Sequence, residues 1–445
     1  MKLNAQLDVD VVALQQDDEV TCLLTMEAPI PATLSERAGE TLVVVVDRSG
    51  SMHGEPLESV RRSLHALVGR MKPQDTFGVV VFDDSADIAV PARRIEDHDL
   101  AIVRDLIDAI EAGGCTDLAA GYLLGLAEAR RCSGATGGTV LVLSDGHANA
   151  GIVEPAQLGR LAAAAQSDSI TSTTIGIGVG YDEHLLAEIA GQGNGSHRFA
   201  YTLDDAMAVV SEEAGDLLNK AIVNAFLRVC PTDPALLPGI GTLHSVPRWV
   251  EVDAAGREVV VIPLGDMFAG EQRELLVHFP VPGIAALGPH HLADFTFDYV
   301  ALPDLTAETI TWPMSVNVVP GDAAAGRVPN PAVAVARLLA EATSAKRNAT
   351  DALSAGDQDK AERLMREQSM RLGDAMAGVP DTAPDADALR QRLAEEREQL
   401  DKLARTARDR DAGVARKSLM EDWSMNAAGR SDAMRRQRAR GKRDF

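Results

Sequence analysis

The stretch VVVVDRSGSMHG, residues 43–54, joins an uninterrupted apolar run to a loop of small and oxygen-bearing side chains. Four consecutive valines are typical of a strand that is buried on both faces, as the strands of parallel sheets are. Asp47, Ser49 and Ser51 follow at alternate positions, and Gly50 relieves the backbone between the two serines. The stretch therefore predicts a buried strand whose carboxyl end directs three oxygen donors toward one point.

This strand belongs to a longer region of alternating strand and helix patterns. Short β-branched runs alternate with amphipathic segments, which indicates βαβ units and a parallel sheet. Further strands are predicted at TFGVVVFD, GTVLVLSDG and ITSTTIGIGV, and helices at LESVRRSLHALVGRM, LAIVRDLIDAIEAG and LAAGYLLGLAEARR. The predicted fold class is α/β, with a doubly wound, mostly parallel, Rossmann-like sheet over residues 39–216.

Two regions with strand patterns but no helical patterns flank the α/β region. Residues 1–38 contain LDVDVVAL and VTCLLTMEAP, and residues 217–320 contain AIVNAFLRVC, REVVVIPLGDM, RELLVHFPV, LADFTFDYVAL and TITWPMSVNVV. Prolines and glycines separate these runs at intervals typical of a β-sandwich. Because the two regions share this pattern of strands without helices, we expect their strands to pair. The α/β domain is then an insertion into one β-sandwich.

The C-terminal part of the chain is predicted to be helical. A Pro/Gly/Ala-rich linker at residues 321–331 precedes a helical region at residues 332–428, which begins with an antiparallel hairpin. Near-heptad spacing marks the next helix, at Leu389, Leu393, Leu400 and Leu403. We interpret it as a third helix packed on the hairpin, because the pattern lasts too few heptads for an intermolecular coiled coil.

The tail at residues 429–445, GRSDAMRRQRARGKRDF, is basic, whereas the rest of the chain is acidic. We expect a solvated, disordered end. Two alternatives stay open, because a basic tail also suits an acidic surface, including one of this protein, or a nucleic acid.

Composition narrows the functional classes. The chain has 445 residues, enough for two or three domains, and its formal net charge of −23 argues against nucleic acid or an anionic membrane as the main partner. The N-terminus lacks the apolar core of a signal peptide, and no stretch has the length and composition of a membrane span. Four widely spaced cysteines predict reduced thiols. We expect a cytoplasmic protein.

Oxygen donors from three parts of the α/β region are predicted to meet. Ligands of doubly wound sheets bind beyond the carboxyl ends of the strands, where Asp47 ends one strand and Asp145 another. The glycine-rich loop GGCTD, residues 113–117, adds Thr116. Carboxylates and hydroxyls, completed by water, are the ligand set of a hard divalent cation such as magnesium. The sequence therefore predicts a magnesium-type site.

These residues and their order resemble the von Willebrand factor type A domain, also called the integrin I-like domain. That family has a metal-ion-dependent adhesion site (MIDAS), made of a DxSxS sequence after the first strand, a threonine in a later loop and an aspartate after a further strand. The matching positions are Asp47, Ser49, Ser51, Thr116 and Asp145. The resemblance covers residues 40 to about 215, and the flanking strands look like those of bacterial members in which the domain interrupts a sandwich.

The resemblance carries expectations about cofactor and partner. It implies bound Mg2+, with Mn2+ or Ca2+ as alternatives, and a coordination position open to an acidic side chain of a partner protein. It also implies assembly or regulation of a complex, sometimes beside an ATPase of the AAA+ class. Metal-dependent binding follows physically, because a partner carboxylate that replaces a metal-bound water gains a charge-assisted bond.

Several residues close to this motif have simpler interpretations. His53 is interpreted as an exposed loop residue, and Asp117 as the N-cap of the helix that begins at LAAGYLLGL. Asp83 and Asp84 follow the strand VVVF and are assigned to a turn. Cys115, beside Thr116, is expected to be an inert thiol.

Two other functions compete with metal-dependent partner binding. In the first, the protein is a scaffold with a structural metal that binds partners through the sandwich or the helices. In the second, it is a magnesium-dependent phosphoester hydrolase of the haloacid-dehalogenase kind with Asp47 as nucleophile, but that class needs an acid at position 49, where this chain has Ser49. The sequence contains no GxSxG, GxxxxGK[ST] or HExxH motif. We therefore predict that the protein is not an enzyme.

Overall fold

The computed structural model describes residues 1–30, 39–134, 136–202, 205–210, 212, 220–243, 248–409 and 412–427. The strands are Lys2–Leu7 (β1), Val11–Ala13 (β2), Asp18–Glu27 (β3), Thr41–Asp47 (β4), Thr76–Phe82 (β5), Ala86–Arg94 (β6), Gly138–Ser144 (β7), Ile170–Ile177 (β8), Asn194–Ala200 (β9), Lys220–Pro231 (β10), Gly241–Thr242 (β11), Trp249–Val252 (β12), Glu258–Phe268 (β13), Gln272–Val281 (β14), Gly288–Ala301 (β15) and Thr306–Val319 (β16). The named helices are Glu55–Arg70 (α1), Leu100–Asp108 (α2), Leu118–Cys132 (α3), Pro155–Ala165 (α4), Glu183–Gln192 (α5), Gly321–Ala325 (α6), Pro331–Ser354 (α7), Gln358–Gly378 (α8), Ala386–Asp409 (α9) and Ala412–Ala427 (α10).

The α/β domain contains a six-stranded sheet in the order β6-β5-β4-β7-β8-β9. All neighbouring strands run parallel except β6, which pairs antiparallel with β5. The α/β fold class is confirmed, and β6 and β9 are strands that the sequence analysis did not place. The predicted helix at residues 100–113 ends at Asp108 instead. The residues after it form a loop in which Gly113 N–H donates to Arg48 O at 2.8 Å, so the loop reaches the end of β4.

The valines of β4 are buried on both faces of this sheet. Val44 and Val46 pack in a cluster with residues of α1 and α2, including Leu64. Val43 and Val45 point the other way and pack with residues of α3, α4 and α5. The uninterrupted apolar run thus reflects helices on both sides of a central parallel strand, as predicted.

The segments on either side of the α/β domain form one sandwich. Strand β3 lies between β1 and β14, and β2 pairs with β16, so N-terminal strands share both sheets with strands from after the insertion. The two sheets, β1-β3-β14-β11 and β12-β13-β10-β15-β16-β2, enclose a common apolar core that includes Leu24, Leu227 and Phe295. The insertion topology is confirmed.

A buried ion pair joins the sandwich to the α/β domain where the chain crosses between them. Glu40 precedes β4 and Lys220 begins β10, and the Lys220 Nζ lies 2.8 Å from Asp266 Oδ2 and 3.7 Å from Glu40 Oε2. Thr171 Oγ1, at the start of β8, donates to the same Asp266 oxygen at 3.0 Å. The joint therefore lies at the amino edge of the α/β sheet.

The helical region packs on the sandwich. Val333 and Ala336 of α7 contact Leu23 and Leu276 of the smaller sheet. Helix α9 packs with α7 and α8 in one apolar cluster, to which its heptad-spaced leucines contribute: Leu389, Leu393, Leu400 and Leu403. The interpretation of α9 as a packed third helix fits this arrangement. The predicted linker at residues 321–331 contains the short helix α6, because residues 321–325 have the alanines to propagate a turn. The tail at residues 429–445 lies outside the described residues.

Two further expectations concern cysteines and membranes. Cys22, Cys115, Cys132 and Cys230 are all free thiols, as predicted. Within the described ranges, every helix is either too short or too polar to cross a bilayer.

Burial of His197 in β9 generates a test of the fold. Burial, together with repulsion from the charges of Lys417 and Arg198, lowers the pKa of this imidazole from 6.5 to about 3. The unfolded chain then binds a proton that the folded chain excludes, so this contribution to stability is complete above pH 6.5 and declines as the pH falls. Between pH 7.5 and pH 5 the loss is about 2 kcal/mol. We expect His197→Gln to remove this component, measured as urea denaturation midpoints at both pH values.

The exposed His53 provides the matched control for this titration. His53→Gln is expected to follow wild type at both pH values, because it replaces an exposed histidine and leaves the buried His197 in place. A wild type that loses no more stability than His197→Gln between pH 7.5 and pH 5 would contradict the prediction.

Candidate metal site

Asp47 ends β4 and forms the floor of the candidate site. Its side chain is buried, and both carboxylate oxygens accept hydrogen bonds. Ser49 N–H donates to Oδ1 at 2.8 Å, and Ser144 Oγ, at the end of the adjacent β7, donates to Oδ2 at 2.6 Å. The carboxylate is thereby fixed between two neighbouring strand ends.

The serines of the motif connect Asp47 to Asp145. Ser49 Oγ lies 3.1 Å from Ser51 Oγ, and Ser51 Oγ donates to Asp145 Oδ1 at 2.7 Å, across 94 positions of sequence. Ser49 is buried, whereas Ser51 is exposed. The donors therefore form a short chain from the buried floor of the site to its open side.

Thr116 reaches the same place from the loop before α3. A methyl group on Gly146 would lie 3.4 Å from Ser51 Oγ, 3.6 Å from Thr116 Oγ1 and 3.9 Å from Asp47 Oδ2. These three oxygens thus surround one small space beside the Gly146 backbone. The structure brings together all five residues that the sequence predicted as ligands.

The electrostatics of the site favour a cation. Burial raises the pKa of Asp145, the hydrogen bond from Ser51 opposes this rise and the negative charge of Asp47 adds to it, so that the pKa is about 6. Burial also raises the pKa of Asp47, although Ser144 and Ser49 oppose this shift. Two carboxylates in one partly dehydrated place repel each other, and a divalent cation between them would relieve that repulsion.

The donor set fits magnesium better than a transition metal. It consists of two carboxylates and three hydroxyls, all hard oxygen ligands. Across the described ranges, no three His, Cys, Asp or Glu side chains gather into a group that would hold a metal without such hydroxyls. If a magnesium ion binds here, these residues would supply part of its coordination shell and water would supply the remainder.

The sequence analysis missed residues that support the donors. Ser144 holds Asp47, and Asn149 Oδ1 accepts the Thr116 N–H at 2.9 Å while its own N–H donates to Thr116 O at 3.1 Å. Gly146 leaves the space described above. Ser144, Gly146 and Asn149 all lie in the segment SDGHAN, which begins with the last residue of β7, so the small and polar residues around Asp145 were the sequence signal that could have identified them.

The structure also describes the residues near the motif that were given a simpler interpretation. Asp117 caps α3 as predicted, with Oδ1 accepting the Ala120 N–H at 2.9 Å, and His53 is exposed. Asp84 does more than form a turn, because its Oδ1 accepts the Cys115 N–H at 2.8 Å and so holds the loop that carries Thr116. The hydrogen bond to Asp84 also raises the pKa of Cys115, which fits an inert thiol.

The order of strands and helices in the α/β domain can be compared with known proteins. Residues 41–213 match the family model described as the von Willebrand factor type A domain. The solved structure entitled von Willebrand factor type A from Catenulispora acidiphila superposes with a TM-score of 0.69 at 17% identity, covering 95% of this chain and 96% of that one. The α/β domain thus has the von Willebrand factor A fold, and the likeness extends through the sandwich and the helices.

Curated relatives include bacterial and plant proteins. The uncharacterized protein YfbK of Escherichia coli is 30% identical over 252 residues, which are 56% of this chain and 43% of that protein. The probable E3 ubiquitin-protein ligase WAVH2 of Arabidopsis thaliana is 26% identical over 304 residues, covering 66% of this chain and 40% of that protein. The chain thus spans less than half the length of either relative.

Gly146→Ala tests whether the space beside Gly146 holds a cation. The added methyl group fits without a clash, since its nearest neighbour is the Ser51 hydroxyl at 3.4 Å. It occupies the volume between the oxygens, so we expect a folded protein whose affinity for Mg2+ or Mn2+ falls by about 10-fold or more. Isothermal titration calorimetry with each metal alone measures the change.

Gly69→Ala is the matched control. Gly69 lies exposed near the end of α1, and a methyl group there would meet nothing within 4 Å. Metal affinity should equal that of wild type, with a small gain in stability from the better helix former. Equal affinities for Gly146→Ala and Gly69→Ala would exclude this space as the metal position.

Proposed function

We propose that this protein is a metal-dependent protein-interaction module. The observation that carries the proposal is the convergence of five oxygen-bearing side chains on one space that is buried on the Asp47 side and open on the Ser51 side. A closed shell of protein ligands would suit a structural metal. A shell with an open side suits a metal that also binds a partner.

Each ligand has a defined part in the proposed site. Ser49, Ser51 and Thr116 offer neutral hydroxyl oxygens, and Asp47 and Asp145 offer the negative charge. A bound divalent cation, Mg2+ or alternatively Mn2+ or Ca2+, would supply a positive charge and an exchangeable coordination position. The two carboxylates balance the charge of a divalent cation, so what the site would offer a partner is the exchangeable position, where an acidic side chain could replace water in a charge-assisted bond.

Two exposed apolar side chains lie in loops at the same carboxyl edge of the sheet as the candidate site, which refines the expected partner. Val179 is 47% exposed in the loop after β8, and the next residue, Gly180, packs against the carbonyl oxygen of Asp145. Tyr201, 53% exposed, follows the neighbouring strand β9. We therefore infer that the partner presents an aspartate or glutamate flanked by apolar residues. An AAA+ ATPase is a candidate only through the family resemblance, and a cytoplasmic complex is the expected setting.

The competing functions have less support. Asp47 is fully buried and hydrogen-bonded through both oxygens, so it is poorly placed to attack a phosphoryl group as a hydrolase would require. The relative WAVH2 is named a probable ubiquitin ligase, but the chain covers only 40% of that protein. A pure scaffold stays the main alternative, with partners bound through the sandwich or the helices.

Affinity capture tests the proposal against the scaffold. The full chain is immobilised on a resin and incubated, in buffer containing magnesium, with a lysate of the source cells. Bound protein is then eluted with EDTA. We expect the partner to elute with chelator, because its carboxylate is held through the cation. Ser49→Ala combined with Ser51→Ala removes two ligands, and recovery should fall by at least about 10-fold. Mass spectrometry of the eluate identifies the partner.

Circular dichroism of the double variant controls for folding. Ser59→Ala with Ser63→Ala, on the buried face of α1, is a second control in which two serines are lost away from the site. Partner that stays bound in EDTA, or that the folded ligand variant recovers at the wild-type level, would favour the scaffold and refute metal-dependent binding.

A further inference from the structure

Helix α10 is attached to the α/β domain through a buried lysine. The Lys417 side chain is 0% exposed, and its Nζ donates to the Tyr181 backbone oxygen at 2.6 Å and to Glu183 Oε2 at 2.7 Å. The ammonium group also lies 3.9 Å from the centre of the Tyr181 ring, within cation–π distance. All three interactions are made with the loop after β8 and the start of α5.

Other contacts extend the same attachment along α10. Glu421 pairs with Arg198 of β9 at 2.9 Å, and Ser424 Oγ accepts the His197 N–H at 3.1 Å. Met420 and Trp423 pack on Ala187 of α5. The helix therefore covers the β9 side of the domain, and Lys417 contacts it in the loop after β8, at the carboxyl edge of the sheet.

The loop that Lys417 holds packs directly on the candidate metal site. A methyl group on Gly180 would lie 2.8 Å from the Asp145 backbone oxygen, closer than a real side chain is found. His147 Nδ1 lies 3.9 Å from Asp182 Oδ2, a second approach between the same two loops. A shift of residues 178–182 would therefore change the packing beside Asp145, whose Oδ1 accepts the Ser51 hydroxyl.

We propose that Lys417 is a positioning residue for the metal site and that docking of α10 is coupled to metal binding. This inference rests on the proposed metal site. Lys417 fixes the Tyr181 carbonyl, the neighbouring Gly180 backbone supports Asp145, and Asp145 completes the ligand set. The attachment of α10 and the arrangement of the ligands are then parts of one unit, although α10 supplies no ligand.

Thermodynamic linkage makes the coupling reciprocal. If docked α10 favours the metal-binding arrangement, bound metal must favour docked α10 by the same factor. Among the contacts of α10 described above, the Lys417 contact is the one with the loop that packs beside Asp145, so we expect the coupling to pass through residues 178–182. Regulation of the site from the helical region would act through this contact.

Lys417→Met tests the inference. Methionine approximates the apolar part of lysine but donates no hydrogen bond, and Glu183 keeps its ion pair with Arg416, so no carboxylate is left alone. We expect the variant to bind Mn2+, titrated alone and followed by electron paramagnetic resonance, about 10-fold more weakly than wild type.

Lys220→Met is the matched control. Lys220 is buried to the same degree and pairs with Asp266 and Glu40, but it lies at the amino edge of the sheet, opposite the metal site. Its loss should lower stability and leave Mn2+ affinity within about twofold of wild type. An equal loss of affinity in both variants would show a general effect of destabilisation and overturn the inference.

Hydrogen exchange on the wild-type protein tests the reciprocal effect without any substitution. Saturating Mg2+ should slow amide exchange in residues 416–425 of α10 and in residues 178–182 relative to the EDTA-treated protein. This measurement decides the question if Lys417→Met fails to fold. Metal uptake by wild type with unchanged exchange in α10 refutes the coupling but leaves the proposed function intact. A wild type that takes up no Mg2+, Mn2+ or Ca2+ refutes the proposed function itself.

Discussion

The burial of the Asp47 carboxylate is the constraint on which the candidate site depends. A carboxylate at the end of a central strand is stable without solvent only if its oxygens are hydrogen-bonded. The Ser49 amide and the Ser144 hydroxyl provide these bonds, so the loop after β4 is drawn over the strand end and tied to β7. That same turn places Ser49 and Ser51 in a chain that reaches Asp145. The ligand geometry is thus a consequence of satisfying one buried acid.

The amino edge of the α/β sheet is attached to the sandwich, whereas the carboxyl edge carries the candidate site. The chain enters and leaves the domain at the amino edge, where Glu40, Lys220 and Asp266 form a buried cluster with the sandwich. The carboxyl edge holds the oxygen donors and stays accessible on the Ser51 side. Because the sandwich is attached at the opposite edge, the domain is inserted without covering the site. An insertion with both crossings at one edge therefore leaves the other edge available to a partner.

The parts that could be predicted from sequence are those determined by local pattern. The valines of β4 and the spacing of Asp47, Ser49 and Ser51 specify a strand and its loop within twelve residues. The role of Ser144 was not predictable in this way, because its hydrogen bond to Asp47 spans 97 positions. Strand β6 was missed because an edge strand with one exposed face carries a weaker apolar pattern. The docking of α10 could not be predicted, because its sequence has no single apolar stripe. This helix contacts both the α/β domain and α7 and is buried on more than one side.

Three buried lysines form ion pairs where separate elements of this acidic chain pack together. Lys220 joins the sandwich to the α/β domain, Lys417 joins α10 to the α/β domain, and Lys346 of α7 pairs with Glu396 of α9 and with Asp422 of α10. Their side chains are 0% or 1% exposed. Buried ion pairs add little net stability, because dehydration of the charges offsets their attraction, but a misplaced partner leaves a buried charge uncompensated. Two apolar surfaces can shift relative to each other at small cost, whereas each buried lysine is neutralised and hydrogen-bonded in one arrangement only. We infer that Lys220 and Lys417 specify how the α/β domain is oriented on the sandwich and on α10, that Lys346 specifies how the C-terminal helices pack together, and that the surface around the candidate metal site depends on those orientations.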